Sequence, residues 1–190
     1  MSIGVPMPIR LIIGFTSRKH PADVAIEGRS GRFGISLVTA GPAHYPEPVS
    51  HKSARIATMI ESFRGQELDA HYLGYFDCFN RQLFYEAHDV LEDLWLPDRQ
   101  GANGNFYKGL IQLAGAFVHL QKNRLRPSAA LFKLAQANLG KYPRVHGQLE
   151  LDQVQALIQC WLEQLESQDF TVNPLTPGNL PRLGLTGPTV

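Results

Sequence analysis

The stretch Phe84-Tyr85-Glu86-Ala87-His88-Asp89-Val90-Leu91-Glu92-Asp93-Leu94-Trp95 decides how the chain is read. At about 100° per residue, Phe84, Ala87, His88, Leu91 and Trp95 fall on one helical stripe. Glu86, Asp89 and Asp93 fall on the opposite side, where water can keep them. A histidine thus sits inside an apolar stripe, with Glu92 one turn further on at its edge. At i and i+4 the two side chains can meet on one face.

Outward from this helix the pattern stays helical. Pro97 stops the helix, and residues 98–105 form a Gly- and Asn-rich loop. A helix over about residues 105–121 is apolar almost all round, so it must be surrounded by others. Gly109, Gly115 and Ala116 are small enough to let a neighbour come close. Pro127 suits a first helical position, Ala130, Leu131, Leu134 and Ala135 give that helix an inner face, and Gly140 ends it. Leu151, Val154, Leu157, Ile158, Trp161, Leu162 and Leu165 mark a last amphipathic helix, about residues 149–167. Towards the N-terminus, the stripe changes phase at Asn80-Arg81-Gln82, which predicts a break. Asp69 can cap a helix carrying Tyr72, Leu73, Phe76 and Phe79. Ile56, Met59, Ile60 and Phe63 recur at helical spacing before Gly65. The expected fold is all-α: a compact bundle of five or six antiparallel helices over residues 53–168, with irregular extensions at both ends.

Residues 1–50 are dense in Gly and Pro and lack a helical period. Two apolar runs, Ile9–Phe15 and Phe33–Val38, are candidates to pair as strands, but a lone ribbon is marginal in water. The segment is expected to be draped on the bundle, disordered, or untranslated, with Met59 as an alternative start. Residues 169–190 form a Pro/Gly-rich tail, in which Phe170, Val172 and Leu175 can dock and the remainder is expected to be mobile.

With 44% hydrophobic and 18% charged residues, the chain has material for a real core. A net charge of +1 argues against a nucleic-acid or anionic-membrane binder. No run approaches the roughly 18 apolar residues of a membrane span, and no signal peptide is recognisable, so a cytoplasmic location is expected. Cys78 and Cys160 match no metal-ligand spacing.

The order Phe79-Asn80, then Tyr85-Glu86-Ala87-His88-Asp89-Val90-Leu91-Glu92-Asp93-Leu94-Trp95, then Tyr107-Lys108-Gly109-Leu110-Ile111-Gln112-Leu113-Ala114 resembles the family catalogued as domain of unknown function 309. The resemblance covers roughly residues 70–170. It implies a compact helical bundle found in prokaryotes and plastid-bearing lineages, with no established activity. The chain departs from the family's Gly-Asn turn and Gly-Ala pair after the second motif, where it has residues 123–127 and Ser128-Ala129-Ala130.

Two readings of His88 and Glu92 follow. In the first, they are a buried, mutually satisfied pair that organises a non-catalytic structural or partner-binding domain. Its partner is an unknown protein or a second copy of the chain, with no cofactor and no metal. In the second, His88 and Glu92 serve a small metal-dependent or acid/base hydrolase in a pocket near Gln112 and Lys108. Trp95 is a further binding candidate and, like Trp161, a core anchor. With Leu96 level with Asn105 across the Pro97 loop, His88 faces Gln112 or Leu113, and Glu92 faces Lys108 or Gly109. His119 falls opposite Gln82, about 9 Å along the axis from His88 and about 15 Å from Glu92, so no metal is shared by Glu92 and His119. Whether His88, Glu92 and Gln112 line an open cavity or a closed core separates the readings.

Overall fold

A computed structural model describes residues 51–187. The runs at Ile9–Phe15 and Phe33–Val38, and every expectation for residues 1–50, lie outside them. Six helices make up the described chain: α1 (His51–Ile60), α2 (Ala70–Asn80), α3 (Phe84–Trp95), α4 (Gly104–Gln121), α5 (Leu125–Leu139) and α6 (Leu151–Ser167). Between α5 and α6, β1 (Val145–His146) and β2 (Leu149–Glu150) form a small antiparallel hairpin. The protein is all-α apart from this ribbon.

Local chemistry sets the boundaries. Asp69 caps α2, its Oδ1 accepting from the His71 and Tyr72 N–H groups at 2.7 and 3.4 Å. Gln82, at φ 64°, makes the turn into α3 at the predicted break. Pro97 ends α3 in one 3₁₀ turn, Leu96–Asp98. Helix α5 starts at Leu125, so Pro127 is its third residue, still inside the first turn where no N–H is needed.

Phe117 of α4 is the centre of the core. Its ring stacks on Phe84 of α3 at 4.9 Å and meets Phe79 of α2, Phe132 of α5 and Trp161 of α6 edge-on at 5.0–5.4 Å. The all-round apolar character of α4 is thereby explained. Gly109 lets α5 approach, since a Cβ there would stand 2.8 Å from Leu139 Cγ. The inner face of α5 is Ala129, Phe132, Ala135 and Leu139, whereas Leu134 is 50% exposed and Ala130 is also exposed. The expected stripe is rotated because Phe132 offers the larger area to bury.

Helix α1 buries Ile56 and Ile60. A start at Met59 would delete Ile56 together with the ion pairs of Lys52 and Arg55. At the other end, the irregular segment after α6 is tied down by side-chain amides instead of apolar periodicity. Asn80 donates to Leu183 O and accepts from Leu183 N, both at 2.8 Å. Gln82 donates to Pro181 O, and Asn173 donates to Leu120 O. Leu183 is buried, whereas Val172, expected to dock, is exposed.

Candidate functional site

Three neighbouring features are built on α3 and α4. The first is the acidic face of α3, which helix α1 covers. Asp89, expected in water, is only 9% exposed. Lys52 of α1 reaches Glu92 Oε2 at 2.7 Å and lies 3.8 Å from Asp89 Oδ1 and 3.9 Å from Asp93 Oδ1. Burial alone would lower the Lys52 ammonium, but the Glu92 hydrogen bond and the charges of Asp89, Glu92 and Asp93 outweigh it, and its pKa is raised.

The expected buried His88–Glu92 pair takes another form. The two side chains are 34% and 29% exposed, and among the described residues no hydrogen bond joins them. Glu92 is taken by Lys52, and His88 Nδ1 lies 3.4 Å from Asp89 Oδ1. Donor atoms of His88, Asp89 and Glu92 nevertheless lie within 4.8 Å of one another. The i, i+4 spacing does place His88 and Glu92 near each other, but it omits the adjacent Asp89 and the cation from α1.

The second feature is an open groove of about 260 Å³ over α3, α4 and α5. Ile111, Val118 and Leu131 give it an apolar lining, and Gly115 keeps its floor low. His88, Gln112, His119 and Lys122 bring polar groups to it. Tyr85, 54% exposed, lies nearly parallel to the His88 ring, at 13° and 6.5 Å between centroids. Gln112 is not paired with His88; its Oε1 accepts from Asn138 Nδ2 at 2.8 Å, and Asn138 Oδ1 accepts from Lys141 Nζ at 2.9 Å. Asn138, buried on α5, was missed, although an amide between Ala135 and Leu139 on the inner face was its signal.

His119 returns to the company of His88 here. The register was sound, as Gln121 Nε2 donates to Gln82 O at 3.0 Å, within a turn of the expected pairing. An axial offset of about 9 Å prevents a shared metal bond but not a shared groove. His119 Nδ1 is buried without a hydrogen-bond partner. Burial, then the charges of Arg124 and Lys122, hold its imidazole below the usual histidine range, so near neutral pH it is uncharged.

The third feature is a polar pocket of about 400 Å³ at the far end of the same seam, lined by Trp95, Arg99, Gln100, Gly101, Asn105 and Lys108. Lys108 therefore lines a pocket with Trp95 and Arg99, within a turn of the expected pairing, and Glu92 does not line it. Of the sequence candidates, the structure joins His88 with Gln112 in the groove and Trp95 with Lys108 in the polar pocket; Glu92 lines neither.

No curated protein and no solved structure matches the chain. The family model described as Domain of unknown function (DUF309) matches residues 72–131, which run from α2 into the first half of α5. That segment carries Tyr85, His88, Gln112, His119 and every residue lining the polar pocket, and over it the chain is similar to the DUF309 family.

Proposed function

We propose that this is a non-catalytic binding domain and that the groove over α3, α4 and α5 is where it takes its partner. One observation carries the binding part of the reading: His88 and Gln112 line a groove open to solvent, in place of the closed, mutually satisfied pair. The apolar floor suits a flat apolar group. Tyr85 and His88 offer it near-parallel ring faces, and Lys122 suits an anionic substituent at the rim. The family's description names no activity. No helix among the described residues is long and apolar enough to cross a membrane, and both cysteines are free thiols, in keeping with a cytoplasmic setting.

The test uses anilinonaphthalene sulfonate, a flat aromatic anion whose fluorescence rises in apolar sites. The folded protein should bind it saturably at one site. Gly115→Leu, which fills the floor beside Leu131, should abolish binding while leaving the melting temperature within a few degrees. No saturable signal from the wild-type protein would sink the proposal.

A second reading rests on a different observation, the convergence of donors from His88, Asp89 and Glu92. Imidazole and two carboxylates are sound ligands for a divalent metal, and they would support hydrolysis in the adjoining groove. A metal there must displace the Lys52 ammonium, 2.7 Å from Glu92. Stoichiometric zinc, iron or manganese in elemental analysis of the purified protein would favour this reading over the first.

A further inference from the structure

The polar pocket at the loop end of the α3–α4 seam is distinct from the groove, and both charged residues that line it are cations. Arg99 and Lys108 line it from opposite sides of the turn, both exposed. Neither has an ion-pair partner among the described residues. No carboxylate lines the pocket. The nearest acid in sequence, Asp98, is folded over Gly101, occupying the space where a Cβ would stand. A third cation stands behind the wall, since Lys141 Nζ donates to Asn105 Oδ1 at 3.1 Å and to Asn138 Oδ1, both neutral groups.

Helix α4 begins at this pocket, and its first turn is not capped in the usual way. Asn103, at the cap position, turns its side chain to His146 Nε2 at 2.8 Å. The Gly104 N–H bonds Gly101 O, and the Phe106 N–H bonds the Tyr142 hydroxyl. No such partner takes the Asn105 N–H among the described residues, and Asn105 lines the pocket. The Trp95 indole forms part of the wall, and its Nε1 is buried without a partner.

We infer that this pocket binds a phosphate group, either free or as the monoester of a small hydroxylated molecule. A guanidinium, an ammonium and the first turn of α4 line one pocket, a donor set that suits the several oxygens of a phosphate dianion better than the two of a carboxylate. The volume exceeds what a bare ion needs, and Gln100 and Asn105 offer amides to a hydroxylated remainder.

The test is thermal shift and tryptophan fluorescence on the full chain, at ionic strength held constant with sodium chloride. Inorganic phosphate and glycerol 3-phosphate are titrated in separate arms, with acetate as the carboxylate control. One or both phosphates should raise the melting temperature saturably, and acetate should not. Tighter binding of the ester identifies a monoester site, and equal binding a free-phosphate site. Arg99→Ala with Lys108→Ala should weaken binding at least tenfold and leave anilinonaphthalene sulfonate binding in the groove unchanged. If that double variant melts early, Lys108→Met alone should still weaken phosphate binding several-fold. The inference is overturned if acetate binds as well as phosphate, if neither phosphate binds, or if the folded variants bind like wild type.

Discussion

The two ends of the α3–α4 seam are built from the same pair of antiparallel helices, yet one opens into an apolar groove and the other into a polar pocket. At the groove end the gap exists because Gly115 has no side chain, and α5 supplies Leu131 to its lining. Apolar walls follow from its position over the bundle. At the loop end the gap exists because Pro97 forces a 3₁₀ turn, and the walls come from that turn and the uncapped start of α4. The lesson is that the origin of a gap decides its polarity. A missing side chain inside a bundle leaves apolar neighbours, while a turn leaves backbone dipoles and charged side chains.

The largest expected effect breaks one end and spares the other. Phe117 lies between Gly115 and His119, more than two turns from Lys108. Phe117→Ala should cost about 3–5 kcal/mol in denaturant unfolding. At low temperature, where the variant remains folded, it should lose the groove's fluorescent probe but keep the phosphate response.

Two glycines on α4 sharpen the contrast. A Cβ at Gly109 would stand 2.8 and 2.9 Å from Leu139 Cγ and Cδ2, in the packed α4–α5 contact. Gly109→Ala should therefore destabilise by about 1–3 kcal/mol from overpacking, less up to about 1 kcal/mol gained in helix propensity. A Cβ at Gly115 would meet only the flexible end of Leu131, at 3.1 Å. Gly115→Ala should be neutral or stabilising, and a loss comparable to that of Gly109→Ala would show that the groove floor is part of the core.

Lys52→Met tests whether the acidic face of α3 depends on α1. It leaves buried Asp89 without its nearest ammonium and should cost about 1 kcal/mol, since Lys52 is itself 40% exposed. A melting temperature equal to wild type would show that water already serves these carboxylates.

The smallest effect is in pH. His119 and His146 are both held below the ordinary histidine value by burial. Below about pH 6.5 the unfolded chain therefore binds more protons than the folded one, and stability falls as the solution is acidified. His119→Gln should reduce the drop in melting temperature between about pH 7.5 and 5.5. An identical drop would assign the acid sensitivity elsewhere, to His146 first.

Features with a local cause were legible in the sequence. The Asp69 cap, the break at Gln82 and the stop at Pro97 each depend on one residue and its immediate backbone, and so do the helices they bound. What depends on a distant partner was not. Asp89 lies off the apolar stripe by helical arithmetic, yet α1 covers it, and nothing within residues 84–95 announces that cover. Leu134 belongs to a plausible second stripe on α5, and only the aromatic cluster around Phe117 decides for Phe132. The candidate residues lie along one seam but group differently from the expectation: Lys108 lines a pocket with Trp95, and Glu92 is held by Lys52 from α1, which lies outside the seam.

The clasp between Asn80 and Leu183 has a consequence for how the chain can vary. Both of its bonds go to the Leu183 backbone, one to the carbonyl and one to the amide. An amide side chain that reads only backbone is indifferent to the side chains it holds, so the exposed Arg182 and Gly184 beside the clasp are free to change. Asn80 itself is not, because its side chain must both donate and accept at this reach, which a primary amide does within one flat group. The constraint is thus asymmetric: the strict residue lies at the end of α2, a hundred positions upstream of the segment it secures.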